Sequence, residues 1–171
     1  MFKHTGIVRR IDDIGRIVIP KEVRRRFRIN EGDPIEIGED GDFIALRKYS
    51  IVELGSEAIQ KILSTFSKTT SHPVILCSQT RVLNSFRIPV KTQSYLTMKL
   101  FDALRKRDKS YFGLEICEDS DLKVKALAEI CIGEELEGAL IIPQTNTSGT
   151  VSAVDKACLE LCAKIIAELL L

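Results

Sequence analysis

The chain has 171 residues, of which 44% are hydrophobic and 29% are charged, and its formal net charge is +1. This composition excludes an intrinsically disordered chain, and no apolar run is long enough to predict a membrane span. The N-terminus lacks the apolar stretch of a secretory signal, so we expect a cytoplasmic protein without a membrane partner.

The first 48 residues read as short strands and one short helix. Residues 5–11 and 16–20 are predicted as strands around a turn at residues 12–15. Pro20 ends the second strand, because it has no N–H for a ladder bond, and suits the start of a helix at residues 21–27. Val23 and Phe27 then share one helix face, so Arg24, Arg25 and Arg28 are expected to point elsewhere. Residues 34–39 and 42–48 are predicted as a hairpin.

A unit of this size buries too little surface to be stable alone. Its strands need outside partners, and a second copy of the same chain is the simplest source. We therefore expect residues 1–50 to form an obligate, intertwined homodimer.

The same segment is strongly basic. Residues 1–28 contain nine basic and three acidic side chains and carry +6, which leaves −5 for the rest of the chain. Arginine suits phosphate because its planar guanidinium donates parallel hydrogen bonds and keeps its charge. A solvated charged face is the alternative, but this density of arginine favours a nucleic-acid partner. The basic residues are Lys3, Arg9, Arg10, Arg16, Lys21, Arg24, Arg25, Arg26 and Arg28.

The pattern changes near residue 50, and we place a second domain at residues 51–171. Apolar residues recur at helical spacing over residues 51–70, which predicts a helix connecting the two domains. Strands at 73–78 and 80–86, a helix at 92–106, strands at 122–133 and 136–144, and a final helix from residue 151 follow. This order predicts an α+β domain with an antiparallel sheet.

The final helix is more apolar than one buried face requires. Val154, Cys158, Leu161, Ile165 and Leu169 form one stripe along it. We expect this stripe to pair across subunits and to join two dimers into a homotetramer. The alternative is that the stripe is used up in the core of its own domain.

The sequence gives no sign of catalysis, of a cofactor or of a metal site. Cys158 and Cys162 share a helix face and could hold a metal or form a redox pair, but a reduced apolar core is the favoured role for all five cysteines. His4 and His72 lack a nearby acid and nucleophile in sequence. We therefore expect a protein that is not an enzyme.

The stretch TGIVRRIDDIGRIVIPKEVRRRFRINEGDPIEI resembles the swapped-hairpin DNA-binding domain of the AbrB-type transition-state regulators. Its elements TGIVR, D-x-x-GR-x-VIP and E-x-RR occur in order, and the resemblance covers nearly all of residues 3–48. It implies an all-β-rich swapped-hairpin dimer, an AbrB-like barrel with one short helix. By position, it places the DNA-contacting arginines at Arg9, Arg16, Arg24 and Arg25, with supporting contacts from Lys3, Arg10 and Arg26.

The resemblance implies that the protein recognises the shape and flexibility of the DNA grooves more than the base edges. The expected partner is therefore deformable, A·T-rich double-stranded DNA, bound in the nucleoid. The resemblance, with which the length and element order agree, also implies a C-terminal GAF-like domain that senses an unidentified small molecule near residues 95–118. The implied role is activation of some genes and repression of others during sporulation. An antitoxin-like or DNA-architectural scaffold protein with the same DNA-binding domain is the alternative.

Overall fold

The computed structural model describes residues 6–54, 57–146 and 149–171. The chain forms two compact units, Met1–Tyr49 and Ser50–Leu171. Lys3 and His4, which the sequence analysis singled out, lie outside the described residues. The assignment of one unit to DNA binding and of the other to regulation stays a prediction.

The first unit contains a short helix α1 (Lys21–Arg26) and a hairpin of β1 (Ile35–Asp40) and β2 (Phe43–Lys48). Asp40 pairs with Phe43, so the hairpin turns through two residues. Gly41 occupies the first of them with φ +59°. A tight hairpin turn of the II′ type requires a positive φ at this position, which glycine adopts without strain. The predicted hairpin is thus present within one residue of its expected bounds.

The strands predicted at residues 5–11 and 16–20 are wrong for the single chain. The described part of this region, residues 6–20, is a turn flanked by segments outside any sheet. A strand exists only when a neighbouring backbone takes up its N–H and C=O groups, and among the described residues no strand pairs with these segments.

The described part of the first unit, residues 6–49, has no apolar core of its own. Within residues 6–49, Arg28 is the one buried residue, with 7% of its surface exposed. Val8, Ile37 and Ile44 are 83%, 72% and 75% exposed. So much exposed aliphatic surface in so small a unit indicates a surface that is covered in the working protein.

The second unit begins with a 3-10 turn, Ile51–Leu54, and ends with a long helix. The five strands among its described residues form one antiparallel sheet in the order β4-β3-β7-β6-β5. The predicted α+β fold with an antiparallel sheet is confirmed, and the curled sheet with its helices is consistent with a GAF-like domain. The remaining elements are α2 (Glu57–Thr70), β3 (Val74–Ser78), β4 (Val82–Phe86), α3 (Met98–Lys106), β5 (Glu115–Cys117), β6 (Ser120–Ile132), β7 (Glu135–Pro143) and α4 (Ala153–Leu169).

The sheet separates two apolar cores. On β3, Val74 and Leu76 belong to the core that α2 and α4 cover, whereas Ile75 and Cys77 belong to the core under α3. Side chains alternate between the two faces of a strand, so a strand buried on both faces reads as a continuous apolar run. The same alternation continues along β7.

One glycine fixes how closely the central strands approach. Gly138 on β7 pairs with Ser78 on β3 and with Ile130 on β6. A Cβ atom at this position would overlap the carbonyl oxygen of Cys77. Glycine is therefore required here by contact with a neighbouring backbone and not by an unusual φ.

Three details of the second unit differ from the sequence prediction. The predicted helix 51–70 is a 3-10 turn followed by α2, with residues 55–56 outside the description. Helix α3 begins at Met98 because the hydroxyl of Thr97 caps it by accepting a hydrogen bond from the N–H of Leu100. The strand β5 was not predicted, since three residues are too few to show a period.

Candidate nucleic-acid interface

The turn at residues 12–16 is built around the carboxylate of Asp12. Its Oδ1 accepts hydrogen bonds from the backbone N–H of Arg16 at 2.7 Å and of Ile14 at 3.2 Å. The backbone of Asp12 in turn donates to the carbonyl of Arg16 at 3.0 Å, and Gly15 donates to the carbonyl of Asp12 at 3.1 Å. With φ +82°, Gly15 takes the left-handed conformation that the turn needs.

The side chain of Arg16 returns to the same carboxylate. Its Nε–H donates to Oδ2 of Asp12 at 2.8 Å, in an exposed ion pair. These hydrogen bonds, from the backbone of Arg16 first and then from its side chain, hold the pKa of Asp12 below its ordinary value. Sequence reasoning treated Asp12 as a motif residue and missed this contact, although acid and base four residues apart across a turn were the available signal.

Arg9 and Arg10 lie on the exposed segment before this turn. A terminal nitrogen of Arg9 donates to the carbonyl of Val8 at 2.9 Å, which leaves its other N–H groups free of bonds within the described residues. The prediction put Arg9 and Arg16 on adjacent strands. In the single chain they instead flank one hydrogen-bonded turn, because the segments around it lack sheet partners.

The other predicted arginines come from α1. Arg25 and Arg26 are exposed, and the guanidinium of Arg26 lies 5.7 Å from the ring centroid of Phe27. Arg24 is half-buried, and its Nε is buried without a hydrogen-bond partner in the described chain. Arg28 was expected to point away with Arg24 and Arg25, but it is buried, with φ +55°, because the chain turns out of the helix there.

A second set of polar contacts holds the segment between α1 and the hairpin. The carboxylate of Asp33 accepts a hydrogen bond from the backbone N–H of Asn30 at 2.6 Å. The same oxygen pairs with Nζ of Lys48 at 3.0 Å, and both side chains are largely buried. This contact ties the end of β2 to the turn after α1, so the helix that carries three arginines is anchored to the hairpin.

The second unit offers a different surface, the outer face of α4. We define this face by four side chains of the predicted stripe, which are 70%, 58%, 43% and 51% exposed: Val154, Leu161, Ile165 and Leu169. The opposite side of the helix packs into the core through Leu159, Ala163 and Ile166. The alternative in which the whole stripe belongs to the domain's own core is therefore wrong, since the helix has apolar residues on both sides.

Two adjoining grooves of about 390 and 210 Å³ lie along β6. Both are lined by Lys109 and Tyr111, from the region where an effector was expected, and by Leu127 of β6 and Glu160 of α4. The hydroxyl of Tyr111 donates to Glu129, and burial together with this carboxylate raises the pKa of Tyr111. The space between the sheet and α3, by contrast, is filled by apolar side chains.

In the second unit, His72 and Cys77 lie in surroundings that indicate a structural role and not a reactive one. Nε2 of His72 lies 3.3 Å from Oδ2 of Asp155, and Nδ1 is buried without a partner in the described chain. The carboxylate of Asp155 also accepts from the hydroxyl of Ser152 at 2.7 Å, at the start of α4. Burial raises the pKa of the Cys77 thiol to about 12, which suppresses the reactive thiolate.

The described part of the chain does not gather three His, Cys, Asp or Glu side chains in an arrangement that could hold a metal ion. Of the helices in the described ranges, none combines the length and apolar character that crossing a bilayer requires.

Known proteins resemble the N-terminal unit. Residues 8–53 match the family described as "Antidote-toxin recognition MazE, bacterial antitoxin". The chain is 52% identical over 79 residues to Stage V sporulation protein T of Bacillus subtilis (strain 168), across 45% of this chain and 44% of that protein. It is 53% identical over 47 residues to the Transition state regulatory protein AbrB of the same organism, across 28% of this chain and 49% of AbrB. The matches thus span about half the length of these relatives.

A solved structure, the solution structure of the N-domain of the transcription factor abrB, is 51% identical to the chain. It covers 29% of this chain and 94% of the solved one, with a TM-score of 0.27. The 79-residue match to Stage V sporulation protein T is longer than the first unit, Met1–Tyr49, so it continues into the second. The predicted resemblance to AbrB-type regulators is confirmed for the N-terminal domain.

Proposed function

We propose that this chain is a DNA-binding transcription regulator, because residues 8–53 match a MazE-type family and the chain is similar to AbrB over 47 residues. The first unit binds double-stranded DNA as an intertwined homodimer, and the second unit regulates that binding. The similarity to Stage V sporulation protein T, which extends past the first unit, supports a role in sporulation-stage gene expression. In this role the protein activates some promoters and represses others.

One observation carries the proposal: the first unit exposes arginine and aliphatic side chains together and buries no apolar side chain within residues 6–49. Exposed aliphatic surface favours a second copy of the unit, and exposed guanidinium groups favour a polyanion. Dimerisation doubles the arginines and presents them symmetrically, as a two-fold duplex requires.

The arginines differ in what they contribute. Arg9, Arg16, Arg24 and Arg25 bind phosphate, while Arg10, Arg26 and Lys3 support them. Helix α1 has six residues, too few for a recognition helix that reads base edges along the major groove. Contacts to the backbone then dominate, and preference arises from the energy of deforming the duplex, which favours A·T-rich DNA.

The second unit joins and controls the dimers. The exposed aliphatic face of α4 packs against the same face of another chain and forms a tetramer with two DNA-binding ends. Engaging both ends raises the apparent affinity through effective concentration. The grooves beside Lys109 and Tyr111 are the site for an effector, since they provide concave space with both charged and aromatic walls.

An antitoxin-like role is the second candidate, favoured by the description of the matching family. An antitoxin that wraps its toxin uses a tail without a core of its own. Here the residues after the first unit include a five-stranded sheet with an apolar core on each face. That folded unit supports a regulator with a second domain instead.

The test is DNA affinity as a function of salt. Arg24→Ala/Arg25→Ala removes four guanidinium groups from a dimer, and each phosphate contact contributes about 0.9 to the slope of log affinity against log salt. We expect weaker binding to every duplex and a slope flatter by about 3–4. Arg105→Ala/Lys106→Ala, two exposed cations at the end of α3, removes the same charge and should leave the slope near that of the wild type.

The proposal predicts a difference between these two double variants that net charge alone does not produce. Equal slopes for the two variants and the wild type would contradict the assignment of the interface. Absence of salt-dependent binding by the wild type to any duplex would contradict DNA binding itself.

A further inference from the structure

Asp12 presents a contradiction within the proposed interface. It carries a negative charge on the exposed segment between Arg9 and Arg16, where a DNA phosphate would approach. Carboxylates close to phosphates repel them, so a surface selected for charge alone would lack this residue. Its three accepted hydrogen bonds indicate what it does instead.

Two of these bonds build the turn, and the third holds the side chain of Arg16. The bonds from the backbone N–H groups of Ile14 and Arg16 reach Oδ1 and form a turn that an asparagine side chain could form equally well. The bond from Nε–H of Arg16 reaches Oδ2, which asparagine replaces with an N–H₂ group that cannot accept it. The carboxylate is therefore needed for the side chain of Arg16 and not for the turn.

The geometry of this third bond is suited to phosphate binding. Engaging Nε leaves the N–H groups of both terminal nitrogens without a protein partner in the described residues. A guanidinium held at Nε has lost much of its rotamer freedom before DNA arrives. Ordering a long side chain at an interface otherwise lowers affinity, so a pre-ordered Arg16 binds phosphate more tightly than a mobile one.

We propose that Asp12 is a positioning residue: its carboxylate holds the guanidinium of Arg16 by Nε so that the terminal nitrogens face phosphate. This inference rests on the proposed DNA binding. Asp12 acts through Arg16 and does not itself touch DNA. Its repulsion of phosphate is smaller than the gain from ordering two arginines in each dimer.

Asp13 provides a matched control. It follows Asp12 directly, is exposed, and makes no hydrogen bond or ion pair within the described residues. Asp12→Asn and Asp13→Asn each remove one negative charge per chain at nearly the same place, so each raises the net charge of the chain by one. Charge alone predicts that both variants bind DNA more tightly than the wild type.

The experiment measures the affinity of full-length wild type, Asp12→Asn and Asp13→Asn for one A·T-rich duplex at several salt concentrations. We expect Asp13→Asn to bind as tightly as the wild type or a few-fold more tightly. Asp12→Asn should bind about tenfold more weakly, since ordering one long side chain corresponds to roughly 2- to 12-fold in affinity and each dimer has two. Its melting temperature should stay that of the wild type, because asparagine retains the turn.

A double-mutant cycle with Arg16→Ala shows whether Asp12 acts through Arg16. In the Arg16→Ala background, Asp12→Asn should no longer weaken binding and should have the same effect as Asp13→Asn. A persistent tenfold loss there would overturn the inference. The exchange rate of the Arg16 Nε–H with water, measured by NMR, should rise in Asp12→Asn and stay unchanged in Asp13→Asn.

The outcomes separate the inference from the proposed function. If the wild type binds DNA and Asp12→Asn binds as tightly as Asp13→Asn, the positioning role is overturned while DNA binding stands. If the wild type binds no duplex, the proposed function fails and the inference fails with it. If Asp12→Asn lowers the melting temperature, Arg16→Lys provides the second measurement. Lysine keeps the positive charge, but its single ammonium group cannot be held at an Nε–H while two terminal nitrogens bind phosphate. Affinity equal to the wild type in Arg16→Lys overturns the role.

Discussion

Leu161 lies on the outer face of α4 with 58% of its surface exposed, and its replacement by alanine tests whether this face joins two dimers. In the separate chain the side chain contributes little to folding, because an exposed residue away from the core changes stability by less than about 0.5 kcal/mol. In a tetramer the same side chain is covered by the partner helix, so the substitution acts on assembly.

The expected magnitude follows from the exposed fraction. Leu→Ala removes about three carbon atoms at about 0.8 kcal/mol each when fully buried. Since 58% of Leu161 is exposed in one chain, the assembly term is about 1.4 kcal/mol per copy. Each α4 pair contains the residue twice, and a tetramer of four chains has two such pairs between its dimers, which gives about 6 kcal/mol, or roughly a 10,000-fold weaker association of dimers.

The assay is the mass of the full-length protein by sedimentation over a range of concentrations. The change from dimer to tetramer should move to roughly 10,000-fold higher concentration in Leu161→Ala, so this variant should remain a dimer where the wild type is a tetramer, with the melting temperature of dilute protein unchanged. Met98→Ala is the matched control, since Met98 on α3 is 51% exposed and lies off this helix. Equal shifts in the two variants, or a wild type that remains a dimer at high concentration, would refute the reasoning.

Two further predictions concern stability. Gly138→Ala should destabilise the second unit by about 2–3 kcal/mol, because the added methyl group overlaps the carbonyl oxygen of Cys77. In calorimetry the melting temperature should fall by roughly 10 °C, and by about half as much in Gly133→Ala, where the space is open and φ is +59°; equal losses would contradict the overlap. The proposed intertwined dimer predicts that the isolated segment 1–50 melts at a temperature that rises with protein concentration, because folding and association are then coupled. A monomer with a concentration-independent melt would be the contrary result.

The sequence predicts most elements whose signal is local. Pro20, Gly41 and the apolar alternation around them are enough to place α1 and the hairpin, because turn geometry depends on the residues within it. The helical spacing of apolar residues likewise predicts α2 and α4. The strands at residues 5–11 and 16–20 fail in the single chain because pairing requires a neighbouring backbone, which no local pattern supplies.

In the candidate site too, the sequence predicts the features that depend on local motifs and misses those that depend on tertiary contacts. Motif positions predict which arginines face a polyanion, but the burial of Arg28 and the half-burial of Arg24 depend on how the chain leaves α1. The pair of His72 and Asp155 joins residues 83 positions apart, so only the folded chain reveals it. Asp12 and Arg16 are close in sequence, yet their spacing alone does not distinguish a surface ion pair from a positioned guanidinium.

Alternate residues of β3 belong to different cores, so whether a residue number is even or odd tells which core a substitution on this strand affects. Trimming Val74 or Leu76 loosens the packing under α2 and α4, whereas trimming Ile75 or Cys77 loosens the packing under α3. Neighbouring residues on one strand therefore report on opposite halves of the domain. Val74 and Ile75 are consecutive residues. Changes in their NMR methyl resonances would show on which face of the sheet an effector or a second chain acts.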